Sequence, residues 1–337
     1  MKIVITGGLG FLGLGIARKL IERQEVRKAP ELQGGLTGKQ QVVDSVVLFD
    51  AAVPDALPDD LDGRVIIVAG DIGDRERVFG LIDHDDVAVF HLASVVSAGA
   101  EQDFDLAIRV NLLGGFNVLE ACRARKGAPK VVFASSLAVF GGAAMPESVT
   151  DMTRVIPRTT YGMTKAIGEL MVNDYTRKGF IDGRAARLPT VIIRPGPPNQ
   201  AASGFASAVF REPLAGVECV LPVGPETRMM VLGFRNAVQG LIGLMDTDGD
   251  ALGEDRVVSL PNTVHTVTGM IAALERVAAG RGIELGPVSH RPDPAIEAIV
   301  GSWPLVMEDS RARALGLPAD DGLEAVIEDY IEDFGVG

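Results

Sequence analysis

The chain has little cysteine, few aromatic residues and no long uncharged hydrophobic run. Its two cysteines, Cys122 and Cys219, lie far apart without the spacing of a zinc site, and two are too few for a disulfide framework. No segment reads as a signal peptide or a membrane span, and a strand pattern begins at residue 2. These absences predict a cytoplasmic protein with no metal site and no membrane as partner.

An excess of basic residues is also absent. The formal net charge is −13, from 45 acidic and 32 basic residues. Such a balance argues against nucleic acid or an anionic membrane as a partner, because both need a positive surface. A small anionic substrate is still compatible with it, since one arginine can dominate a pocket. With 337 residues, 47% of them hydrophobic, the chain has room for one large α/β domain, or for one such domain with a smaller second domain.

The first twenty residues contain a glycine-rich turn between a strand and a helix. Residues 2–5 are an apolar, β-branched run, and the turn follows as Gly7-x-x-Gly10-x-x-Gly13. An amphipathic stretch begins at Leu14. Glycine allows a pyrophosphate to approach backbone N–H groups at the positive end of the helix. The pattern therefore predicts a dinucleotide site, with a tight turn that binds nothing as the alternative.

Strand and helix patterns then alternate along the first 195 residues. Strands are predicted over 45–50, 64–70, 87–93, 130–134 and 185–194. Alternation of this kind indicates parallel pairing through right-handed crossovers, so we predict a Rossmann-type, doubly wound α/β sheet. The pattern ends where proline and glycine become dense. We predict an NAD-binding domain over 1–195 and a mainly substrate-binding layer over 196–337, of which about 231–260 returns to the first domain. The 24–45 stretch is predicted to be a surface excursion.

Residues at the ends of the predicted strands are candidates for cofactor contacts. Asp50 closes the second strand, where a carboxylate accepts hydrogen bonds from the adenosine ribose and repels a 2′-phosphate, so it favours NAD over NADP. Asp71 follows the third strand; it either faces the adenine amino group or belongs to a helix N-terminus. The fourth strand ends in the small residues Ala93 and Ser94, as a backbone that lies close to a cofactor would require. His91 in that strand is predicted to be a core histidine rather than a base.

Three residues further along can form a proton relay. Tyr161 and Lys165 are four positions apart and therefore share one face of a helix. A phenol titrates near 10, and a neighbouring ammonium would lower its pKa towards the range of a useful base. The lysine can also bind the nicotinamide ribose, while Ser136, after the fifth strand, can hold the reacting oxygen. The alternative is a solvated pair on a surface helix.

At this point the sequence resembles the extended short-chain dehydrogenase/reductase family. The resemblance covers about residues 1–200 and rests on residues 6–13, 91–93, 133–141 and 161–165, together with Asn111. It implies that Tyr161 is the general base, that Lys165 binds the ribose, that Ser136 orients the substrate oxygen and that Asn111 supports the relay. The cofactor site that it implies comprises Gly7, Gly10, Phe11, Leu12, Asp50, Asp71, Ile72, Leu92, Ala93, Ser135, Tyr161, Lys165 and Pro189.

The sequence departs from the family where a nucleotide sugar would bind. Members that act on nucleotide sugars usually carry an arginine and, seven positions later, an aspartate; here Arg228 is followed at that spacing by Arg235. Thr190, in the run Leu188-Pro189-Thr190, stands where an asparagine is usual. Both departures argue against a nucleotide sugar as substrate.

Further segments resemble a narrower group of the family that oxidises four-carbon sugar acids. They are residues 95–101, 173–175, 187–190, 194–199, 201–207 and 211–214. The resemblance implies NAD-dependent oxidation of the C2 hydroxyl of D-erythronate in a pocket that includes Ser136, Val96 and Thr190. A carboxylate needs a cation, and bidentate arginine suits it. Arg228 is the first candidate, followed by Arg211 and Arg194.

Two other functions stay open at this stage. A nucleotide-sugar epimerase or dehydratase would keep NAD tightly bound and recycle it in each turnover. A non-catalytic NAD sensor would use the same fold but has no need of the Ser136, Tyr161 and Lys165 set. By analogy with relatives, the helices near Asn111 and Tyr161 are predicted to pair two copies into a homodimer.

Overall fold

The structure is a computed structural model that describes residues 1–27, 43–55, 58–196 and 201–335. Most of the predicted 24–45 excursion and positions 197–200 of the sugar-acid segments lie outside the described residues. Within the described ranges, no helix is both long enough and apolar enough to cross a membrane. The same ranges contain no group of three or more His, Cys, Asp or Glu side chains that could hold a metal ion.

The described residues form fourteen strands and thirteen α-helices. The strands are β1 (Lys2–Thr6), β2 (Ser45–Asp50), β3 (Ile66–Ala69), β4 (Val87–His91), β5 (Lys130–Ser136), β6 (Ser148–Val149), β7 (Asp182–Leu188), β8 (Thr190–Ile192), β9 (Cys219–Leu221), β10 (Arg228–Gly233), β11 (Val257–Ser259), β12 (Thr263–Thr266), β13 (Val288–His290) and β14 (Val306–Met307). The helices are α1 (Phe11–Arg27), α2 (Arg75–Leu81), α3 (Ser97–Gln102), α4 (Phe104–Ala107), α5 (Gly114–Arg123), α6 (Thr160–Arg177), α7 (Phe205–Leu214), α8 (Phe234–Asp246), α9 (Gly249–Leu252), α10 (Val267–Arg281), α11 (Pro294–Val300), α12 (Ser310–Ala314) and α13 (Leu323–Phe334). A π-helical turn (Ile108–Leu113) joins α4 to α5, and a 3₁₀ turn (Leu137–Val139) follows β5.

Seven parallel strands form the main sheet, in the order β11-β7-β5-β4-β1-β2-β3. The predicted Rossmann-type α/β fold is therefore confirmed. The order reverses between β1 and β4, which is where the helices that follow the two strands diverge to opposite faces. Ligands of such sheets bind in the crevice outside the carboxyl ends of the strands at this reversal.

Alternate residues of the strands are buried on the two faces of the sheet. Ile3 and Ile5 pack with one cluster that includes residues of α1 and α8, whereas Val4 packs with another that includes residues of α2 and α5. Side chains of a strand alternate between faces, so a run that is apolar at every position is required where helices cover both. The β-branched run at residues 2–5 is suited to this position.

The last predicted strand of the first domain is two strands. The sequence pattern runs unbroken over 185–194, but β7 ends at Leu188 and β8 begins at Thr190. Pro189 lies between them; it has no N–H to donate, so the ladder of the main sheet cannot continue through it. β8 joins β10 and β12 in a separate three-stranded sheet. The chain thus passes from the large sheet to the second layer within one residue.

The C-terminal part of the chain divides between the two layers. Residues of α7, α10 and α13 form a second core with the three-stranded sheet. In contrast, α8 contacts α1, and β11 pairs with β7 at the edge of the main sheet. Residues of 234–259 therefore lie on the large sheet, although β10, immediately before them, belongs to the small one.

His91, the last residue of β4, is buried with 3% of its surface exposed. Its Nδ1 lies 2.7 Å from the Thr6 hydroxyl, while Nε2 is buried without a hydrogen-bond partner in the described ranges. Burial, with a smaller contribution from the charge of Lys165, lowers the pKa of His91 to about 3. The ring is therefore neutral at physiological pH.

This histidine should make folding sensitive to mild acid. Below pH 6.5 the unfolded chain takes up a proton at His91 that the folded chain does not bind until about pH 3, so stability falls as pH falls. Between pH 6.5 and 5, the wild-type protein should lose about 2 kcal/mol more unfolding free energy than His91→Gln. Urea titrations at several pH values measure the difference. Equal slopes for wild type and His91→Gln would contradict the prediction.

Candidate active site

The glycine-rich turn passes directly beneath the carboxyl end of β4. Gly7 has a φ of +67°, and a Cβ atom there would lie 2.8 Å from the backbone nitrogen of Ala93. A Cβ at Gly13 would lie 2.6 Å from the carbonyl oxygens of Gly7 and Gly8. These positions therefore cannot hold a side chain without moving the backbone. The result is an open approach to the start of α1 at Phe11, where first-turn N–H groups lack intrahelical partners and favour an anion.

Asp50 lies at the carboxyl end of β2, next to this turn. Its carboxylate accepts hydrogen bonds from the backbone nitrogens of Leu9, at 3.1 Å, and Ala52, at 3.3 Å. These bonds fix the position of the carboxylate, and its oxygens can accept further bonds. The cradle of glycines and this acceptor fit the phosphate and ribose of a dinucleotide.

Asp71 has two partners within the chain. It forms an ion pair with Arg109 and accepts a hydrogen bond from the Gly73 nitrogen at 2.8 Å. The N-cap of α2 is Asp74, whose carboxylate accepts bonds from the two nitrogens that follow Arg75. The helix N-terminus that was the alternative explanation for an acid in this segment is therefore capped by Asp74 and not by Asp71. Ile72 is buried against the helix start at Gly114.

A cavity at the carboxyl ends of the strands collects most of the predicted catalytic residues. Predicted residues in its lining are Phe11, Leu12, Leu92, Val96, Ser135, Ser136, Tyr161, Lys165, Pro189 and Thr190. The lining does not include Gly7, Gly10, Asp50, Asp71, Ile72, Ala93 or Asn111. Ser94, at the predicted end of the fourth strand, also lines it, as do Ser97 and Ser203 of the segments 95–101 and 201–207 that carry the narrower resemblance. Sequence reasoning missed Trp303, which lines the cavity as well. A single tryptophan after the first domain carries no pattern that would have marked it.

The N-terminus of α6 is pressed against the turn that follows β5. A Cβ atom at Gly162 would lie 2.1 Å from the carbonyl oxygen of Ala138. Thr159 caps the helix by accepting a bond from the Gly162 nitrogen at 3.0 Å. This approach places Tyr161 in the lining of the same cavity as Ser136. The Ser136 side chain accepts from the Ala138 nitrogen at 3.2 Å. The sequence offered Gly162 only as a glycine inside a helical pattern.

Lys165 is buried one turn further along α6. Only 3% of its surface is exposed, and its Nζ lies 5.4 Å from the ring centroid of Tyr161 and 4.9 Å from that of Phe133. The surface-pair alternative does not describe such a residue. Burial lowers the pKa of Lys165 to about 7.

The expected lowering of the Tyr161 pKa is wrong for the chain alone. Burial raises the pKa of the phenol, and the hydrogen bond with Ser136 opposes this only in part. The physical reason is desolvation, because burial within the protein disfavours a charged phenolate. Additional positive charge at the site is needed to make Tyr161 a base near neutral pH.

Asn111 acts on this region through the backbone. It lies, buried, in the π-helical turn at 108–113 that joins α4 to α5. Its side chain accepts a bond from the Val95 nitrogen at 2.7 Å and donates to the Val95 carbonyl at 3.0 Å and to the Thr164 hydroxyl at 3.2 Å. It therefore ties the loop after β4 to α6, beside Lys165.

A buried ion pair behind the cavity was not predicted. Arg187 of β7 donates to Glu169 of α6 through Nε and Nη2, at 2.9 and 2.8 Å. Ser135 donates to the same carboxylate at 2.6 Å. Glu169 follows Lys165 by four positions and Tyr161 by eight, and this helical spacing could have identified it. The pair secures α6 against the sheet on the side of the helix that carries the relay.

The three candidate arginines occupy different places. Arg228, at the start of β10, has 45% of its side chain exposed and pairs with Glu147 at 3.2 Å; it does not line the cavity. Arg211 is also absent from the lining and donates to the carbonyl oxygen of Arg194 at 3.1 Å. Arg194 does line the cavity.

Comparison with known proteins agrees with this geometry. Residues 3–242 match the model of the NAD dependent epimerase/dehydratase family. The chain belongs to this family. NAD is accordingly its cofactor, and the predicted membership of this type of dehydrogenase/reductase is confirmed.

Individual members of the NAD dependent epimerase/dehydratase family match over the whole chain. The D-erythronate dehydrogenase of Cupriavidus necator is 45% identical over 336 residues, covering 100% of this chain and 99% of the relative. That of Haemophilus influenzae is 39% identical, covering 98% and 99%. The crystal structure of the nucleoside-diphosphate-sugar epimerase from Agrobacterium tumefaciens has a TM-score of 0.86 and 37% identity, covering 100% of this chain and 95% of that one. The chain is an NAD-dependent enzyme of this family, similar to dehydrogenases that act on a sugar acid.

The contact at Gly162 gives a test of the site's assembly. Gly162→Ala should force α6 away from the Ala138 carbonyl and so separate Tyr161 from Ser136. We expect turnover to fall at least 100-fold, with NAD affinity reduced less than tenfold. Steady-state kinetic assays measure the turnover, and titrations with NAD measure the affinity. Gly80→Ala in α2, where an added Cβ meets nothing within 4 Å, is the control and should raise stability by about 0.5–1 kcal/mol. Full activity in Gly162→Ala would contradict the prediction.

Proposed function

We propose that the protein oxidises the C2 hydroxyl of D-erythronate to the 2-oxo acid, with NAD as hydride acceptor. The observation that carries the proposal is the joint placement of Ser136, Tyr161 and Lys165 around one cavity beside the glycine-rich turn. The identity of 45% and 39% to two D-erythronate dehydrogenases over nearly all of the chain supports the choice of substrate.

The proposed cofactor site runs from the glycine-rich turn to the cavity. Gly7, Gly10 and the start of α1 would receive the pyrophosphate, and Asp50 would accept bonds from the adenosine ribose. The remaining contacts would come from residues of the loops after the strands, namely Asp71, Ile72, Leu92, Ala93, Ser135, Tyr161, Lys165 and Pro189. Bound NAD supplies a hydride acceptor and, in its oxidised form, a positive charge.

The chain's own residues would manage the proton. Tyr161 takes the proton of the C2 hydroxyl, while Ser136 donates a hydrogen bond to that oxygen as it becomes a carbonyl. Lys165 lies close enough to stabilise the phenolate when it is protonated. Since burial alone raises the pKa of Tyr161, a positive charge beside the phenol is the condition for its action as a base. Asn111 would hold α6 and the loop after β4 in register.

A nucleotide-sugar epimerase is the second candidate function. The structural relative from Agrobacterium tumefaciens carries that title, with 37% identity. Against it, Arg235 stands where such enzymes usually have an acid, and it forms ion pairs with Asp329, Glu332 and Asp333 of α13. Arg228 is paired with Glu147 outside the cavity. Neither arginine is placed to hold a diphosphate in this cavity.

Absorbance at 340 nm separates the two functions. Mixing the protein, NAD and D-erythronate should produce NADH, whereas an epimerase gives no net reduction of free NAD. Tyr161→Phe should lower kcat by at least 1000-fold with NAD affinity within threefold of wild type, because it removes only the hydroxyl. Wild-type turnover in Tyr161→Phe, or epimerisation of a nucleotide sugar without NADH release, would refute the proposal.

We also propose that the enzyme works as a homodimer in the cytoplasm. Both cysteines are free and buried, as suits a reducing compartment. Phe116 of α5 and Leu170 of α6 are exposed at 44% and 66%, and Leu113, three residues before Phe116, is exposed at 50%. Apolar residues on two contacting helices form a surface that a second copy can cover.

Light scattering on the purified protein tests the assembly. The wild-type protein should have twice the mass of one chain, and Leu170→Glu should shift it to the monomer because a charge would be buried in the interface. Met152→Glu, at a position that is 85% exposed outside these helices, should leave the mass unchanged. A wild-type monomer would contradict the proposal.

A further inference from the structure

The lining of the cavity is unusual for a chain with a net charge of −13. Among the described residues, it contains two cationic side chains, Lys165 and Arg194, and no acidic one. Lys165 lies beside Tyr161, where it is proposed to stabilise the phenolate and to bind the nicotinamide ribose. Arg194 is therefore the cation that is left to receive an anion.

Arg194 is held so that its side chain faces the cavity from the second layer. It follows β8 by two residues and is 8% exposed. Its backbone nitrogen donates to the Ser207 hydroxyl at 3.1 Å, and its carbonyl oxygen accepts from Arg211 at 3.1 Å. Both partners belong to α7, and Arg211 is itself paired with Glu212 at 2.5 Å. The backbone of Arg194 is thus fixed on both sides by one helix.

The guanidinium of Arg194 differs from its backbone, because its Nη2 is buried and has no hydrogen-bond partner in the part of the chain that the structure describes. The ring centroid of Phe11 lies 5.9 Å from the guanidinium carbon. A buried guanidinium donor without an acceptor is costly, and native proteins rarely leave one unpaired. An anionic ligand in the cavity would complete it.

We propose that Arg194 is the receptor for the carboxylate of the substrate. The inference rests on the proposed function and deepens it. In a 2-hydroxy acid the carboxyl carbon is bonded to the reacting carbon, so its receptor must line the same cavity as Tyr161. Arg194 meets this requirement; Arg228 and Arg211 do not. Arginine can bind a carboxylate through two parallel N–H···O bonds, which would also orient C2. Arg211 is then a positioning residue that acts through the Arg194 carbonyl.

A comparison of an acid with its neutral amide isolates this role. The probes are D-erythronate and D-erythronamide, which share the C2 hydroxyl. In the wild type, kcat/KM should favour the acid by roughly 10- to 100-fold, the usual worth of a charge-assisted pair. Arg194→Gln should bring the ratio to within threefold of one, with activity on the amide and the KM for NAD within threefold of wild type. Arg228→Gln is the matched control and should keep the wild-type ratio.

Two results overturn the inference. One is a wild-type preference for the acid in Arg194→Gln. The other is a KM for NAD that rises as much as the KM for the acid, because the anion at Arg194 would then be the cofactor's pyrophosphate. Retained activity on the amide shows that the variant is folded, and Arg194→Lys should recover part of the preference.

Binding without turnover separates this inference from the proposed function. In the Tyr161→Phe background saturated with NAD, calorimetry with 2-hydroxy acids of three to six carbons should show binding that Arg194→Gln weakens at least tenfold. Binding of another acid but not of D-erythronate, still dependent on Arg194, would refute the proposed substrate and keep the receptor. Turnover of D-erythronate by the wild type, with binding unaffected by Arg194→Gln, would keep the proposed substrate and refute Arg194 as the receptor. Binding of no acid at all would refute both.

Discussion

The close approach of α6 to the turn after β5 is the constraint on which the rest of the site depends. Tyr161 and Ser136 come from segments 25 residues apart, and they meet because Gly162 has no side chain where the Ala138 carbonyl lies. Three further interactions hold the same helix: the Thr159 cap, the Asn111 bond to Thr164 and the Glu169 pair with Arg187. The hydroxyl groups of a proton relay must be positioned to well within an ångström, and one such contact could not guarantee this precision.

Burial and charge then work against each other in the cavity. Excluding water raises the pKa of Tyr161 and lowers that of Lys165 to about 7, so neither group favours its charged form in the chain alone. Burial also strengthens the electrostatic interactions of any charge that a ligand brings into the cavity. A site of this kind is arranged to act only when its cofactor and an anionic substrate are both in place. Although the protein as a whole is acidic, the lining carries no acidic side chain among the residues that the structure describes.

Much of the fold could be predicted from the sequence because its signals are local. The β-branched run at residues 2–5, the glycine-rich turn and the alternation of strands and helices each depend on neighbours in the chain. The π-helical turn around Asn111 and the bond from Arg211 to Arg194 depend on packing between distant segments, which no local pattern reports. Proline is a local signal for the break at Pro189, but the pairing of the following strand with β10 is not visible in the sequence. Arg228 appeared to be the best carboxylate receptor only by family position; its pairing with Glu147 became visible in three dimensions.

The one-residue passage between the two sheets bears on how such enzymes change their substrate. Leu188 ends β7 of the large sheet, Pro189 lies between the two sheets and Thr190 begins β8 of the small one, yet all three line the same cavity. The boundary between the layers is therefore inside the pocket. An exchange of substrate specificity between two such enzymes would therefore have to include the chain from Pro189 onward. That segment contains Arg194 and α7, the helix that holds the Arg194 backbone. A change of substrate specificity in this architecture requires substitutions at the boundary between the two sheets.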